Sequence, residues 1–101
     1  MMKITVLYGH PMSFYAFEKH YENNHLPLVS QIKKVARIEL TKFVAGADGR
    51  RPDFYRMAEL YFTSQAQMEQ ARGSAEGQAT IADLPKFATG GFKVVIGIVE
   101  S

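Results

Sequence analysis

The chain has 101 residues, 47% of them hydrophobic and 22% charged, with four prolines and no cysteine. That is enough for one domain, residues 1–101, and it excludes disulfides, iron–sulfur clusters, thiolate zinc and a cysteine nucleophile. Twelve Lys and Arg against ten Asp and Glu leave a net charge of +2 with the two signs interspersed. A nucleic-acid face would cluster its basic residues, and a membrane span would need ~20 apolar residues in a row. Neither is expected, and the chain reads as cytoplasmic.

Lys3 to His10 are rich in β-branched and aromatic residues and end at Pro11, the pattern of a strand and not of a signal peptide. Ser13 is placed to cap a helix from Phe14 to about Asn24, with Phe14, Phe17 and Tyr21 on one apolar stripe. Pro27 pushes Leu26 away from helical angles, so this helix should bend or stop near His25. Leu28, Val29, Ile32 and Val35 suit a further turn or two. Ala36–Ala45 and Phe54–Phe62 are strand-like runs joined by a loop containing Asp48-Gly49, a hairpin signal. Ser64 and Gln67 form a capping box for a second helix that carries Met68 and Ala71 inward. Gly73 and Gly77 interrupt it, and a last helix around Gln78 to Phe87 holds Ile81, Leu84 and Phe87. Gly90-Gly91 precede a final strand, Phe92 to Glu100.

The order βαββαβ predicts an α+β, ferredoxin-like fold: a four-stranded antiparallel sheet with helices on one face. The last strand, Val94 to Val99, does not alternate apolar with polar residues. In the third strand Phe54, Ala58, Leu60 and Phe62 fall on one face, and Tyr55, Met57 and Tyr61 on the other. Helices cover only one face, so a homodimer formed through the sheet faces is expected.

Three histidines can do chemistry. His25 continues the stripe of Tyr21 at the helix end, where an imidazole beside a tyrosine can serve as general acid or base or can cap a free carbonyl. His10 shares a strand face with Ile4, Val6 and Tyr8; it stands at a cavity rim if that face lines one, and is solvent-exposed otherwise. His20 and His25 are five apart, so at about 100° per residue they should point in different directions. Zinc-binding helical pairs are four apart, and no metal site is expected. Glu39 and Glu59 can pair with Arg37 or Arg56 across the ladder. Asp83 precedes Pro85, where it can cap a turn or hold the last helix. No serine sits in a nucleophile elbow, and the glycines lack nucleotide-binding spacing. The run Phe54–Tyr61 has no glycine and places Glu59 on the sheet, against an RNA-recognition module.

Phe17-x-x-His20-Tyr21-x-x-x-His25-Leu26-Pro27-Leu28 resembles the F-x-x-Y-Y-x-x-x-H-x-P-L signature of the EthD family, named for a protein of bacterial ethyl tert-butyl ether degradation. Leu60-Tyr61-Phe62-Thr63-Ser64 and Asp83–Gly91, similar to the family's D-x-x-x-F-x-x-G segment, extend the resemblance over nearly the whole chain. The resemblance implies a dimeric α+β barrel. It further implies a cofactor-free oxidoreductase, isomerase or cyclase of small-molecule metabolism, acting on a hydrophobic or cyclic compound in a cleft between sheet and helices. His25 and Tyr21 would be catalytic, with Tyr8, His10, Phe17 and Asp83 around the substrate and no metal or other cofactor. The alternative is a non-catalytic accessory protein, a dimer that binds a hydrophobic ligand. His20 stands where the family's first tyrosine is usual.

Overall fold

The computed structural model describes residues 1–100. Strand β1 (Met2–Tyr8) lies inside a four-stranded sheet between β3 (Arg56–Phe62) and the edge strand β4 (Phe92–Ile98); β2 (Arg37–Lys42) forms the other edge. All neighbours are antiparallel, in the order β2-β3-β1-β4. Helix α1 (Phe14–His20), a π-helical turn (Tyr21–His25) and α2 (Leu26–Ser30) connect β1 to β2. Helices α3 (Gln65–Gly73) and α4 (Ala75–Phe87) connect β3 to β4. This is the expected ferredoxin-like α+β arrangement. Among the described residues, no helix is long and apolar enough to cross a membrane.

Register decides which side chains meet the helices. Val6 pairs with Ala58 and Val94, and Tyr8 with Arg56 and Phe92. Directly paired residues share a face, so Ile4, Val6, Tyr8, Ala58, Leu60 and Phe62 turn to the helices. Lys3, Thr5, Leu7, Met57, Glu59 and Tyr61 turn the other way. That outer face is more polar than the sequence pattern suggests. Lys3 Nζ donates to Glu59 at 2.7 Å, and the Tyr61 hydroxyl donates to Glu39 at 2.7 Å. Glu59 thus pairs with Lys3, not with Arg37 or Arg56 as the ladder reading expected.

Two further expectations about faces are corrected. Tyr55 stacks on Phe14 and meets Phe17 edge-on, which puts it on the helix side, while Phe54 lies under the outward Lys93. The ladder begins only at Arg56, so strand alternation cannot be extrapolated back through them. In β4 the apolar residues Phe92, Val94, Ile96 and Ile98 all share the helix side, and only Val95 faces outward beside Lys93 and Gly97. They remain 38–72% exposed because β4 is an edge strand that the helices do not reach across.

The helices begin where their caps require. The Ser13, Ser64 and Ser74 hydroxyls accept from the backbone N–H of Ala16, Gln67 and Gly77. Only half of the predicted capping box forms, since the Gln67 side chain accepts from the Thr63 hydroxyl. Pro27 does not stop the first helix. Leu26 keeps helical angles (φ −61°, ψ −36°) because its N–H bonds five residues back, to Tyr21, and the missing N–H of Pro27 falls in the first turn of α2. Nor does Gly77 fall in the break before the last helix, which starts at Ala75 rather than near Gln78; a Cβ on Gly77 would sit 2.1 Å from the Ala71 carbonyl oxygen. The α3–α4 corner closes only over a glycine. A second such contact joins the ends of β1 and β4: a Cβ on Gly9 would meet the Gly90 oxygen at 2.2 Å, and one on Gly90 the His10 oxygen at 2.0 Å.

Buried side chains form two clusters. One is aromatic: Tyr8, Phe17, Tyr21, Tyr55 and Phe87, with Val6, Ala58, Leu84 and Ala88. The other is Val29, Leu60, Phe62, Met68 and Ala71. Residues of both line one cavity of about 280 Å³ between helices and sheet, near the small end of the roughly 300–1,000 Å³ usual for ligand sites.

Candidate active site

The cavity walls are largely aliphatic, and its polar groups are few. Tyr8 comes from the end of β1, Tyr21 and His25 from the π-helical turn, Arg72 from α3 and Thr80 from α4. His25 is 3% exposed and its ring stacks parallel to that of Tyr21 at 5.9 Å between centroids. His25 Nδ1 lies 2.9 Å from Asp83 Oδ2, and Asp83, on α4, is 5% exposed. Asp83 also receives His20 Nε2, at 3.0 Å from each carboxylate oxygen.

Both histidines therefore reach one carboxylate, contrary to the expectation that they diverge. In an α-helix residues four apart come round to the same side. The i→i+5 hydrogen bonding of the π turn widens it by a residue, so positions 20 and 25 align instead. The His20 ring also stacks on Phe87 at 5.0 Å.

Electrostatics sets the proton positions. Burial works to raise the Asp83 pKa, but hydrogen bonds from His20 and His25 outweigh it and hold the carboxyl ionised below its ordinary range. A carboxylate only accepts, so His25 Nδ1 carries the proton and Nε2 is the basic nitrogen. Burial lowers the His25 pKa below 6.5 despite the opposing pull of Asp83, so the ring is neutral at pH 7. The Tyr8 and Tyr21 hydroxyls are buried with no hydrogen-bond partner among the described residues. Burial pushes the Tyr21 pKa up to about 12 and that of Tyr8 higher still. Both stay protonated and available as donors. A neutral base and two unspent hydroxyls on an apolar cavity can take a proton from a ligand and hold the charge left behind.

The remaining candidates are placed as follows. Phe17 packs between Tyr8 and Tyr21 in the aromatic cluster, at 5.4 Å from each ring. His10 Nε2 lies 2.6 Å from the Pro52 carbonyl oxygen and its ring beside Tyr55, outside the cavity lining. The pairing of Arg56 with Glu18 went unnoticed in the sequence, which offered Arg56 only to Glu39 and Glu59. Arg56 projects from β3 on the helix side, 5.1 Å from the Tyr21 ring, and its Nε donates to Glu18 at 2.9 Å. A lone cation among Ala58, Leu60 and Phe62 at every second position was the available signal. Among the described residues no group of three His, Asp or Glu is arranged to hold a metal ion; His20 Nε2 and His25 Nδ1 are both spent on Asp83.

Known proteins share this framework. An uncharacterised 11.0 kDa protein of the thcB–thcC intergenic region of Rhodococcus erythropolis is 44% identical over 91 residues, 90% of this chain and 87% of that one. The crystal structure of an ethyl tert-butyl ether D (EthD) family protein from Bacillus halodurans superposes with a TM-score of 0.92 at 33% identity, covering 99% of each chain. Two more distant structures share the fold alone. One is SnoaB, a cofactor-independent oxygenase from Streptomyces nogalater (TM-score 0.67, 11% identity, 99% of this chain and 92% of that one). The other is a dimeric ferredoxin-like protein of unknown function from Thermobifida fusca (0.72, 8%, 97% and 90%). The family model for the EthD domain matches residues 9–91, a span that holds His20, Tyr21, His25 and Asp83. With that span, and with the relative from Bacillus halodurans matching from end to end, this chain belongs to the EthD family.

Proposed function

We propose that this protein is a cofactor-independent enzyme of small-molecule metabolism that deprotonates a small, neutral, hydrophobic cyclic compound next to a carbonyl or phenol. The observation that carries this reading is the neutral His25, backed by Asp83 and set in an apolar cavity beside two unpartnered tyrosine hydroxyls. His25 Nε2 takes the substrate proton, and the Asp83 carboxylate offsets the imidazolium charge. Tyr21 and Tyr8 donate to the substrate oxygen as it becomes negative. Phe17 fixes the two tyrosine rings, and His10 holds the loop at Pro52 that borders the aromatic cluster. The carbanion or phenolate so formed is the common starting point for isomerisation, ring closure and reaction with dioxygen. The cofactor-independent oxygenase among the fold relatives supports the last of these only by analogy. The working unit on this reading is a cytoplasmic homodimer joined through the outer sheet face, where Leu7, Met57 and Val95 surround the Lys3–Glu59 pair.

The test is turnover of cyclic ketones, lactones and phenols by wild type and His25→Ala. Loss of a positioned base should lower kcat by roughly 10²–10⁴ with the fold unchanged. Wild-type turnover in a folded His25→Ala protein would end the catalytic assignment. The almost wholly apolar cavity wall favours a second reading, a non-catalytic hydrophobic-ligand binder. In that case His25→Ala weakens binding of the same compounds and no product appears with either protein.

A further inference from the structure

His20 is the residue at which this chain departs from the usual aromatic pair, and the structure gives it specific company. Asn24 Nδ2, which can only donate, lies 3.4 Å from His20 Nδ1. That makes Nδ1 the acceptor and leaves the ring proton on Nε2, aimed at both oxygens of Asp83 at 3.0 Å. The hydrogen bonds therefore run in one sense from Asn24 through His20 to Asp83, and from His25 to Asp83. The His20 side chain is 23% exposed, while those of His25 and Asp83 are 4% and 7% exposed. A half-solvated imidazole thus clamps a buried carboxylate from outside, while the buried imidazole uses it from inside.

We propose that His20 is a positioning residue: its hydrogen bonds to Asp83 keep the His25 proton on Nδ1 and leave Nε2 free as the base. This rests on the reading of His25 as the proton acceptor. The argument is one of proton placement. Without His20, Asp83 Oδ1 loses its only side-chain donor among the described residues, in a site that water scarcely reaches, and burial then shifts the balance toward the protonated acid. A protonated Asp83 donates its own hydrogen to His25 Nδ1. The His25 proton must then sit on Nε2, and the ring has no lone pair for the substrate. No proton is gained or lost by the imidazole in this exchange. It is neutral in both forms, and only one of them is a base toward the cavity. The effect resembles the loss of activity in hydrolase triads whose orienting carboxylate is replaced by an amide, where the wrong histidine tautomer is at fault.

The test is nitrogen NMR of the His25 ring at pH 7 in ligand-free protein, which needs no substrate. In wild type the His25 signals should be those of a protonated Nδ1 and a bare Nε2. His20→Phe keeps a flat ring against Phe87 but removes the donor, and should move the His25 proton to Nε2. His20→Gln restores an N–H donor and should restore the wild-type pattern. On a substrate that wild type turns over, His20→Phe should lower kcat roughly 10–100-fold with KM little changed, and His20→Gln should recover most of it. A folded His20→Phe protein with the wild-type His25 tautomer overturns the proposal, as does His20→Gln behaving like His20→Phe. If His20→Phe does not fold, His20→Leu is read in the same way. Failure of the catalytic reading would look different: the tautomer shift would appear, but His25→Ala would leave turnover untouched.

Discussion

Val29, Leu60, Phe62, Met68 and Ala71 meet on one side of the cavity and the aromatic cluster on the other, and the two solve the problem of burial differently. The aliphatic cluster contains no side-chain hydrogen-bonding group, and burying it answers only to shape and volume. The aromatic cluster encloses three buried tyrosine hydroxyls, those of Tyr8, Tyr21 and Tyr55, without partners among the described residues, and packs against the His20–Asp83–His25 trio. A buried, unpartnered hydroxyl costs about 1–3 kcal/mol, so this side gives up stability that the aliphatic side supplies. Polar groups kept unspent against an apolar wall are the mark of a site, and the contrast locates it on the aromatic side.

Substitutions can break or sharpen this contrast. The largest effect on stability is expected on the aliphatic side. Phe62 is 1% exposed, and Phe62→Ala should lower unfolding free energy by about 3–5 kcal/mol, measured by urea denaturation. A loss below 1 kcal/mol would mean that this cluster does not carry the fold. Next is the cavity between them. Ala58 lines it from β3, and Ala58→Leu should raise stability by roughly 0.5–2 kcal/mol while abolishing ligand binding by calorimetry. A variant that still binds would place the ligand elsewhere.

The third concerns pH. Burial depresses the His25 pKa below 6.5, and hydrogen bonds from both histidines, working against burial, depress that of Asp83 below 3.8. In each case the unfolded chain holds its proton more tightly. Stability should therefore be full near neutrality, decline as the pH falls past 6.5 toward the folded value of His25, and decline again below 3.8. Thermal melts between pH 8 and 3 test this, and His25→Ala should remove the first decline; stability rising from pH 7 to 5 would refute it. The smallest effect is expected at Tyr8. Tyr8→Phe deletes an unpartnered hydroxyl and should leave stability unchanged or higher by up to about 1 kcal/mol, yet slow any turnover. A clear loss of stability would mean that the hydroxyl has a partner.

The element order, the Ser13 and Ser64 caps and the stripe of Phe17, Tyr21 and His25 were legible in the sequence because each is a local pattern; the Ser74 cap was not read. The convergence of His20 and His25 was not. It depends on a π turn, and a rule of 100° per residue places them apart. Pro27 misled for the same reason, since its missing N–H costs nothing once a new helical turn starts beside it. Tyr55 and Phe54 were assigned to the wrong faces because alternation holds only inside a ladder, and theirs had not begun. Asp83 was recognised as a residue able to hold the last helix, but its two partners are 63 and 58 residues away, and no local pattern names them. The cavity was the least legible of all, being made by what Ala58, Ala71 and Gly77 do not fill.

The interlocked backbones of Gly9 and Gly90 bear on how this chain can change over time. Each glycine occupies the space that a methyl group at the other's side of the seam would need, so an alanine at either position forces the opposite backbone to move. No single compensating substitution can relieve that clash, because the opposing atoms are carbonyl oxygens that every residue carries. The two positions are therefore expected to be frozen together. Substitution is expected to be tolerated elsewhere as packing allows, while this seam keeps the end of β1, and with it Tyr8, fixed against the start of β4.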